Sequence, residues 1–270
     1  MFQKATSPIG MVKIFTDSIK LYKSTLLHTI IFSFIAALVS AHTVVQTADD
    51  HNFVLNTMMM YRLDWQFVIY SFLVLLVVIW AYGAIFYQIN QVMNQEKTNV
   101  LKASLHGLIQ LPSFLVTMIL YMVIFVIGCM LLLIPGIIFG VSCILSVVLA
   151  GLGEKNPINA LINSHRLVWP HWWRALVLSV IPFLFFLLIG FVGNFLMTEA
   201  FIHSGHSLSF LLMIRVVASV VLGCFYAPWF YGLMVLVLND FKIRSQLDPK
   251  TKEKFVDNYD DVENFLEKNT

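Results

Sequence analysis

The sequence predicts an all-α, polytopic membrane protein with six transmembrane helices and three interfacial amphipathic helices. Three observations carry this. Hydrophobic residues make up 59% of the 270 positions and charged residues only 12%, with a mean hydropathy of +0.82. A soluble domain carries about 25% charged residues, so too few are present here to coat a water-facing surface. Six stretches approach the ~20 apolar residues that cross the hydrocarbon. The lysines and arginines are sorted to alternate connections. The net charge of +2 also leaves no broad basic patch for nucleic acid, so none is expected as a partner.

The apolar stretches are 25–45, 66–88, 113–134, 136–152, 175–197 and 209–238. The first is read as a retained span, because it follows some two dozen residues and lacks a small-residue cleavage site beside it. The fourth is short and follows the third through Ile134-Pro135-Gly136, where proline removes a backbone donor and glycine permits positive φ. That run predicts a tight hairpin turn, with Pro135 as a helix break. Of the 17 Lys and Arg, all but Arg62 and Arg215 lie in the N-terminal segment, the second and fourth connections and the C-terminal segment. Six spans with both termini cytoplasmic satisfy that asymmetry.

Before spans one, three and five the apolar residues recur at helical spacing without being long enough to cross. Met11, Phe15, Ile19 and Tyr22 oppose Lys13, Asp17 and Lys20. Leu101, Leu105, Leu108 and Ile109 oppose Lys102, His106 and Gln110. Ile158, Leu161, Ile162 and Val168 oppose Asn159, Asn163 and Arg166. Each is expected to lie in the membrane plane on its apolar stripe. Ser7-Pro8 and Asn156-Pro157 read as helix caps followed by proline at the first helical position. Aligned on Ser18, Ser104 and Ser164, the three segments place Lys20, His106 and Arg166 two positions on. One interfacial helix, one outward and one returning span form a unit, giving repeats 7–91, 92–152 and 153–240 within a membrane domain 1–240. A cytoplasmic tail, 241–270, follows.

The run Leu132, Ile134-Pro135-Gly136, Glu154, Asn159-Ala160-Leu161, Ser164, Arg166-Leu167 and Trp172-Trp173-Arg174 resembles the bacterial YciC-like inner-membrane family. It is also similar to the membrane domain sometimes fused to glycerophosphoryl diester phosphodiesterases. The resemblance implies a multi-pass protein of the bacterial inner membrane with a role in the envelope. It does not carry the phosphodiesterase activity, because that chemistry belongs to a barrel of ~250 residues and the segment after the last span is only 239–270.

Arg166, Trp169, Trp172, Trp173 and Arg174 gather before span five, where indole rings suit the headgroup layer and guanidinium suits lipid phosphate. They serve as an anchor or as a headgroup site, and His165 sits beside them. Arg215 lies inside span six, where charge is costly, and reads as a functional group or as an interface anchor reaching toward Glu199. Pro182 and Pro228 interrupt spans five and six, with Asn194 and several glycines nearby; they mark kinked packing or a cavity of a transporter. His42, His51, Asp49, Asp50, His203 and His206 reproduce no zinc spacing, and Cys129, Cys143 and Cys224 fall inside spans as packing residues. No metal or other cofactor is expected. Phe255, Tyr259, Val262 and Leu266 recur at helical spacing, so 255–267 is read as a short helix for a protein partner or as a disordered tail.

No phosphate loop, nucleophile elbow or intramembrane carboxylate pair is present, so the chain reads as non-enzymatic. Two functions follow as expectations. The first is phospholipid interaction in support of envelope or lipid homeostasis. The alternative is a secondary transporter or channel for a small solute.

Overall fold

The computed structural model describes residues 5–49, 65–204 and 208–247, and every element in them is helical. The helices are α1 (Met11–Asp49), α2 (Trp65–Met93), α3 (Val100–Leu131), α4 (Leu133–Leu152), α5 (Pro157–Val168), α6 (Trp172–Ser204) and α7 (Leu208–Leu247). A single 3-10 turn, Trp169–His171, joins α5 to α6. Six helical stretches are long and apolar enough to cross a membrane: one each in α1, α2, α3, α4 and α7, and one running from α5 through α6. The chain is an all-α multi-pass membrane protein. The last helix, α7, runs on past 240 to Leu247. The predicted helix 255–267 and the side chains of His42, Asp49, Asp50, His51, His203 and His206 lie outside the described residues.

Two of the three amphipathic segments are not separate helices. Met11 opens α1 and Val100 opens α3, and each runs unbroken into the span. α5 is set off from its span by only the 3-10 turn at Trp169–His171. Much of each apolar stripe is exposed, as a face laid on lipid is, and smaller or polar residues are buried behind it, although Leu161 and Val168 of the third stripe are buried too. Leu101, Leu105, Leu108 and Ile109 are 54–78% exposed, whereas Ala103, Gly107 and Gln110 are buried. Met11 and Ile19 are exposed and Ile14, Ser18 and Leu21 buried; Ile158 and Ile162 are exposed and Ala160, Ser164 and Leu167 buried. The reason is the solvent. Apolar stripes gain nothing by facing protein when lipid is as apolar as leucine, and small residues let helix backbones approach closely.

The buried positions share one register. The first helical amide bonds run Ile14 to Gly10, Ala103 to Asn99 and Ala160 to Asn156. Four residues after each acceptor come the fully buried Ile14, Ala103 and Ala160; eight after come Ser18, Gly107 and Ser164; eleven after come Leu21, Gln110 and Leu167, all buried. The second segment therefore matches through Gly107, three residues from the expected Ser104, because its cap is Asn99. Ser7 is not a cap, since α1 starts three residues beyond Pro8. The Asn99 carboxamide oxygen accepts from the Leu101 and Lys102 amides, and that of Asn156 from Ile158 and Asn159. Changing either asparagine to alanine is expected to cost about 1 kcal/mol, visible as a lower melting temperature of the purified protein; an unchanged melt would remove the caps from this account.

Each segment lies against the helix that precedes it, and the first closes onto the last. A Cβ at Gly107 would stand 2.6 Å from the Trp80 carbonyl oxygen, so α3 meets α2 backbone to backbone. The Ser164 hydroxyl donates to the Ser142 carbonyl at 2.9 Å, joining α5 to α4. The Trp229 indole donates to the Ser18 hydroxyl at 3.2 Å, joining α7 to α1. Around these contacts sits the core, with Phe86, Phe114, Leu145, Leu178, Leu233 and Phe241 fully buried.

The α3–α4 turn is tighter than Ile134-Pro135-Gly136 suggested. Leu132 alone is extended, at φ −164° and ψ 142°, and α4 begins at Leu133. Pro135 is thus not a break: it occupies the first turn of α4, where a missing amide costs least. The Leu132 amide donates to Gly128 and the Gly136 amide to Leu132, so the turn satisfies its own backbone. Gly128 and Gly136 face each other too closely for side chains, with a Gly136 Cβ only 2.4 Å from the Cys129 sulfur.

Candidate functional site

The predicted Arg–Trp cluster divides in two. Arg166, Trp169 and Trp173 are exposed, Trp169 by 56% and Trp173 by 73%, and their spacing puts them along one side of the α5–α6 run. His165 packs its ring against Trp169. Trp172 turns inward, with its indole donating to the Ile138 carbonyl at 3.2 Å. Arg174 is also drawn into the protein.

Its partner is Asp240 of α7, a side chain with no exposure at all. The Arg174 Nε donates to Asp240 Oδ2 at 3.1 Å, and the Arg244 Nε donates to the same oxygen at 2.9 Å. The other carboxylate oxygen accepts from the Ile9 amide at 3.0 Å. Both guanidinium groups also donate through Nη2 to the Ile9 carbonyl, from Arg244 at 3.0 Å. One buried carboxylate, two cations and one peptide unit therefore satisfy one another, which is the condition under which a buried charge is tolerated. Asn239 adds a bond to the Ala5 carbonyl at 3.3 Å, so the segment before α1 is held against the end of α7. Arg174 is accordingly a structural residue in this arrangement, and its guanidinium faces Asp240 instead of a lipid phosphate.

Sequence reading did not single out Asp240, the last residue of the third repeat, 153–240. A signal was present. Trp80, Tyr82, Gly83, Asn90 and Gln91 of α2 recur at identical spacing as Trp229, Tyr231, Gly232, Asn239 and Asp240 of α7. Tyr82 and Tyr231 meet with ring centroids 4.9 Å apart, whereas Gly83 lies against Gly107 of α3 and Gly232 against Leu21 of α1.

Arg215 sits far from this cluster. At ~1.5 Å per residue, the stretch of α7 from Asp240 to Arg215 is roughly 37 Å, longer than the ~30 Å hydrocarbon. Arg215 therefore reaches the opposite boundary, half-buried, where it donates to the Thr198 hydroxyl at 2.7 Å. Its Nε is buried without a partner among the described residues.

Asn194, Pro182 and Pro228 are not brought together. Asn194 is exposed and donates back to the Gly190 carbonyl of its own helix at 2.9 Å. Pro182 and Pro228 are both buried; at Pro182 α6 meets α7, where the Tyr226 hydroxyl donates to the Pro182 carbonyl at 3.0 Å and its ring stacks on Phe186. Pro182 marks a packed helix contact there. Cys143 and Cys224 are buried free thiols and Cys129 a partly buried one.

Comparison of the chain with protein-family models, with curated proteins and with solved structures finds no match in any of the three.

Proposed function

We propose that this is a non-enzymatic protein of the bacterial inner membrane, with both termini cytoplasmic, that binds phospholipid at its cytoplasmic face and supports envelope or lipid homeostasis. Membership of the YciC-like family belongs to the same proposal. The observation that supports it is the exposed run Arg166, Trp169 and Trp173 at the junction of an amphipathic helix and a span. Two exposed indoles beside a guanidinium match the headgroup layer, which offers an apolar floor and phosphate oxygens together. The alternative solute pathway gains no support from Asn194, which faces outward.

The test is phospholipid retention. Purified from native membrane in mild detergent, the wild-type protein should carry phospholipid, and the Arg166→Ala/Trp173→Ala variant should carry several-fold less. Equal lipid on both would reject the cluster, and a wild type free of phospholipid would reject the reading itself. Arg174→Ala is unsuited to this assay, because it breaks the Asp240 cluster.

A further inference from the structure

Each outgoing helix faces the end of the helix that returns beside it, and the shared cap register makes the three mouths comparable. Fourteen and eighteen residues beyond Gly10, Asn99 and Asn156 come Ser24 and His28, Ser113 and Thr117, and Pro170 and Arg174. Two of the three mouths are latched. Between α6 and α7, Arg174 reaches Asp240 and the Ile9 peptide. Between α3 and α4, the Ser113 hydroxyl donates to the Glu154 carbonyl at 2.7 Å, the Gln110 amide reaches the Gly153 carbonyl at 3.4 Å, and the His106 ring lies 3.2 Å from the Gly151 carbonyl.

Between α1 and α2 the counterparts of these latching groups bond elsewhere. Ser24, the counterpart of Ser113, donates to the Leu21 carbonyl of its own helix at 2.7 Å. Gln91, the counterpart of Asp240, donates to the Tyr87 hydroxyl at 3.1 Å and leaves its Oε1 buried without a partner. A cavity of about 440 Å³ opens instead, lined by Ser24, His28, Gln95, Glu96, Lys97 and Thr98, with Val92, the residue after Gln91, in its wall. Its rim is fixed. Gln95 holds the left-handed φ of 62°, and the Glu96 amide closes the turn onto the Gln91 carbonyl at 2.9 Å.

We propose that this mouth binds a zwitterionic phosphate ester of the phosphoethanolamine class, as carried by a membrane lipid. Lys97, His28 and the hydroxyls of Ser24 and Thr98 supply donors for phosphate oxygens. Glu96, beside Lys97, repels a purely anionic ligand and pairs with an ammonium on the same molecule. The volume lies within the range of small-ligand sites, which runs from about 300 to 1,000 Å³. The ligand then latches the first hairpin as Asp240 latches the third. This rests on the phospholipid-binding reading above and names a site for it separate from Arg166 and Trp173.

The experiment measures binding of radiolabelled phosphatidylethanolamine and phosphatidylglycerol to the purified full-length protein in detergent, with glycerophosphoethanolamine and inorganic phosphate as competitors. His28→Ala/Lys97→Ala should weaken phosphatidylethanolamine binding about tenfold, equivalent to 1.4 kcal/mol. Glu96→Gln should lower preference for phosphatidylethanolamine over phosphatidylglycerol, and Ser24→Phe, which fills the cavity, should match the double variant. All these side chains lie at a surface opening, so melting temperatures should stay at the wild-type value. Unchanged binding in these variants, with loss in Arg166→Ala/Trp173→Ala, would overturn the site and leave the phospholipid reading standing. Competition by inorganic phosphate as strong as by glycerophosphoethanolamine would overturn the zwitterion assignment. No phospholipid binding by the wild type would overturn both.

Discussion

Asp240→Asn is expected to destabilise the purified protein by about 3 kcal/mol or more, with the melting temperature falling accordingly and the loss persisting at moderate salt. The substitution keeps the shape of the side chain but leaves Arg174 and Arg244 facing each other across a fully buried side chain that no longer neutralises them. Removing one partner of a buried ion cluster costs far more than the intact cluster contributes, because the remaining charges keep their desolvation penalty without compensation. Arg174→Ala should cost less than Asp240→Asn, since Arg244 still neutralises the carboxylate. Combining the two changes should cost less than their sum, because residues in one network couple. Strict additivity would show that the cluster does not act as a unit. The N-terminal segment supplies a second readout: with Asp240 neutralised, the bond from the Ile9 amide weakens, and limited proteolysis should cut before α1 sooner.

Gly136→Val should be the most damaging single change in the α3–α4 hairpin. Its Cβ would lie 2.4 Å from the Cys129 sulfur and 2.6 Å from the Cys129 amide nitrogen, and the second contact is with backbone that cannot rotate away. Separating the two helices enough to admit the side chain would also disturb the facing Gly128 and the single-residue turn at Leu132. Overpacking of this kind costs typically 1–3 kcal/mol, and more where backbone must shift. Gly190→Val is the control, because nothing lies within 4 Å of a Cβ there. The measurement is the yield and melting temperature of the folded protein in detergent. A Gly136 variant as stable as the Gly190 variant would contradict the close helix approach.

The positions of the spans were legible because length and apolarity are first-order properties of a chain in lipid, and local sequence carries both. Which small residues make the contact behind each apolar stripe was not. Leu105 and Leu108 form a stripe that in water would be buried, yet they are exposed, and Gly107 makes the contact. Helical periodicity reports where apolar residues lie, and it cannot say whether the neighbouring medium is water or acyl chain. Asn99 escaped notice as a cap because no proline follows it, unlike Asn156. Pro135 was misread as a break because proline is as comfortable in the first turn of a helix as in a loop. At the candidate site, the exposed Arg166, Trp169 and Trp173 were found by composition alone. Arg174 was grouped with them because its partner, Asp240, is 66 residues away and enters only through the fold.

We propose that the α2–α3 and α4–α5 turns face the cytoplasm together with both termini, and that the α1–α2 and α6–α7 connections face the other side. Accessibility of single cysteines to a membrane-impermeant maleimide tests it most directly, in a background where Cys129, Cys143 and Cys224 are replaced by alanine. In intact cells with a permeabilised outer membrane, His51→Cys and His206→Cys should be labelled, while Lys97→Cys and Lys155→Cys should react only after the inner membrane is opened. Labelling of Lys97→Cys or Lys155→Cys in intact cells, or protection of His51→Cys and His206→Cys, would contradict the account.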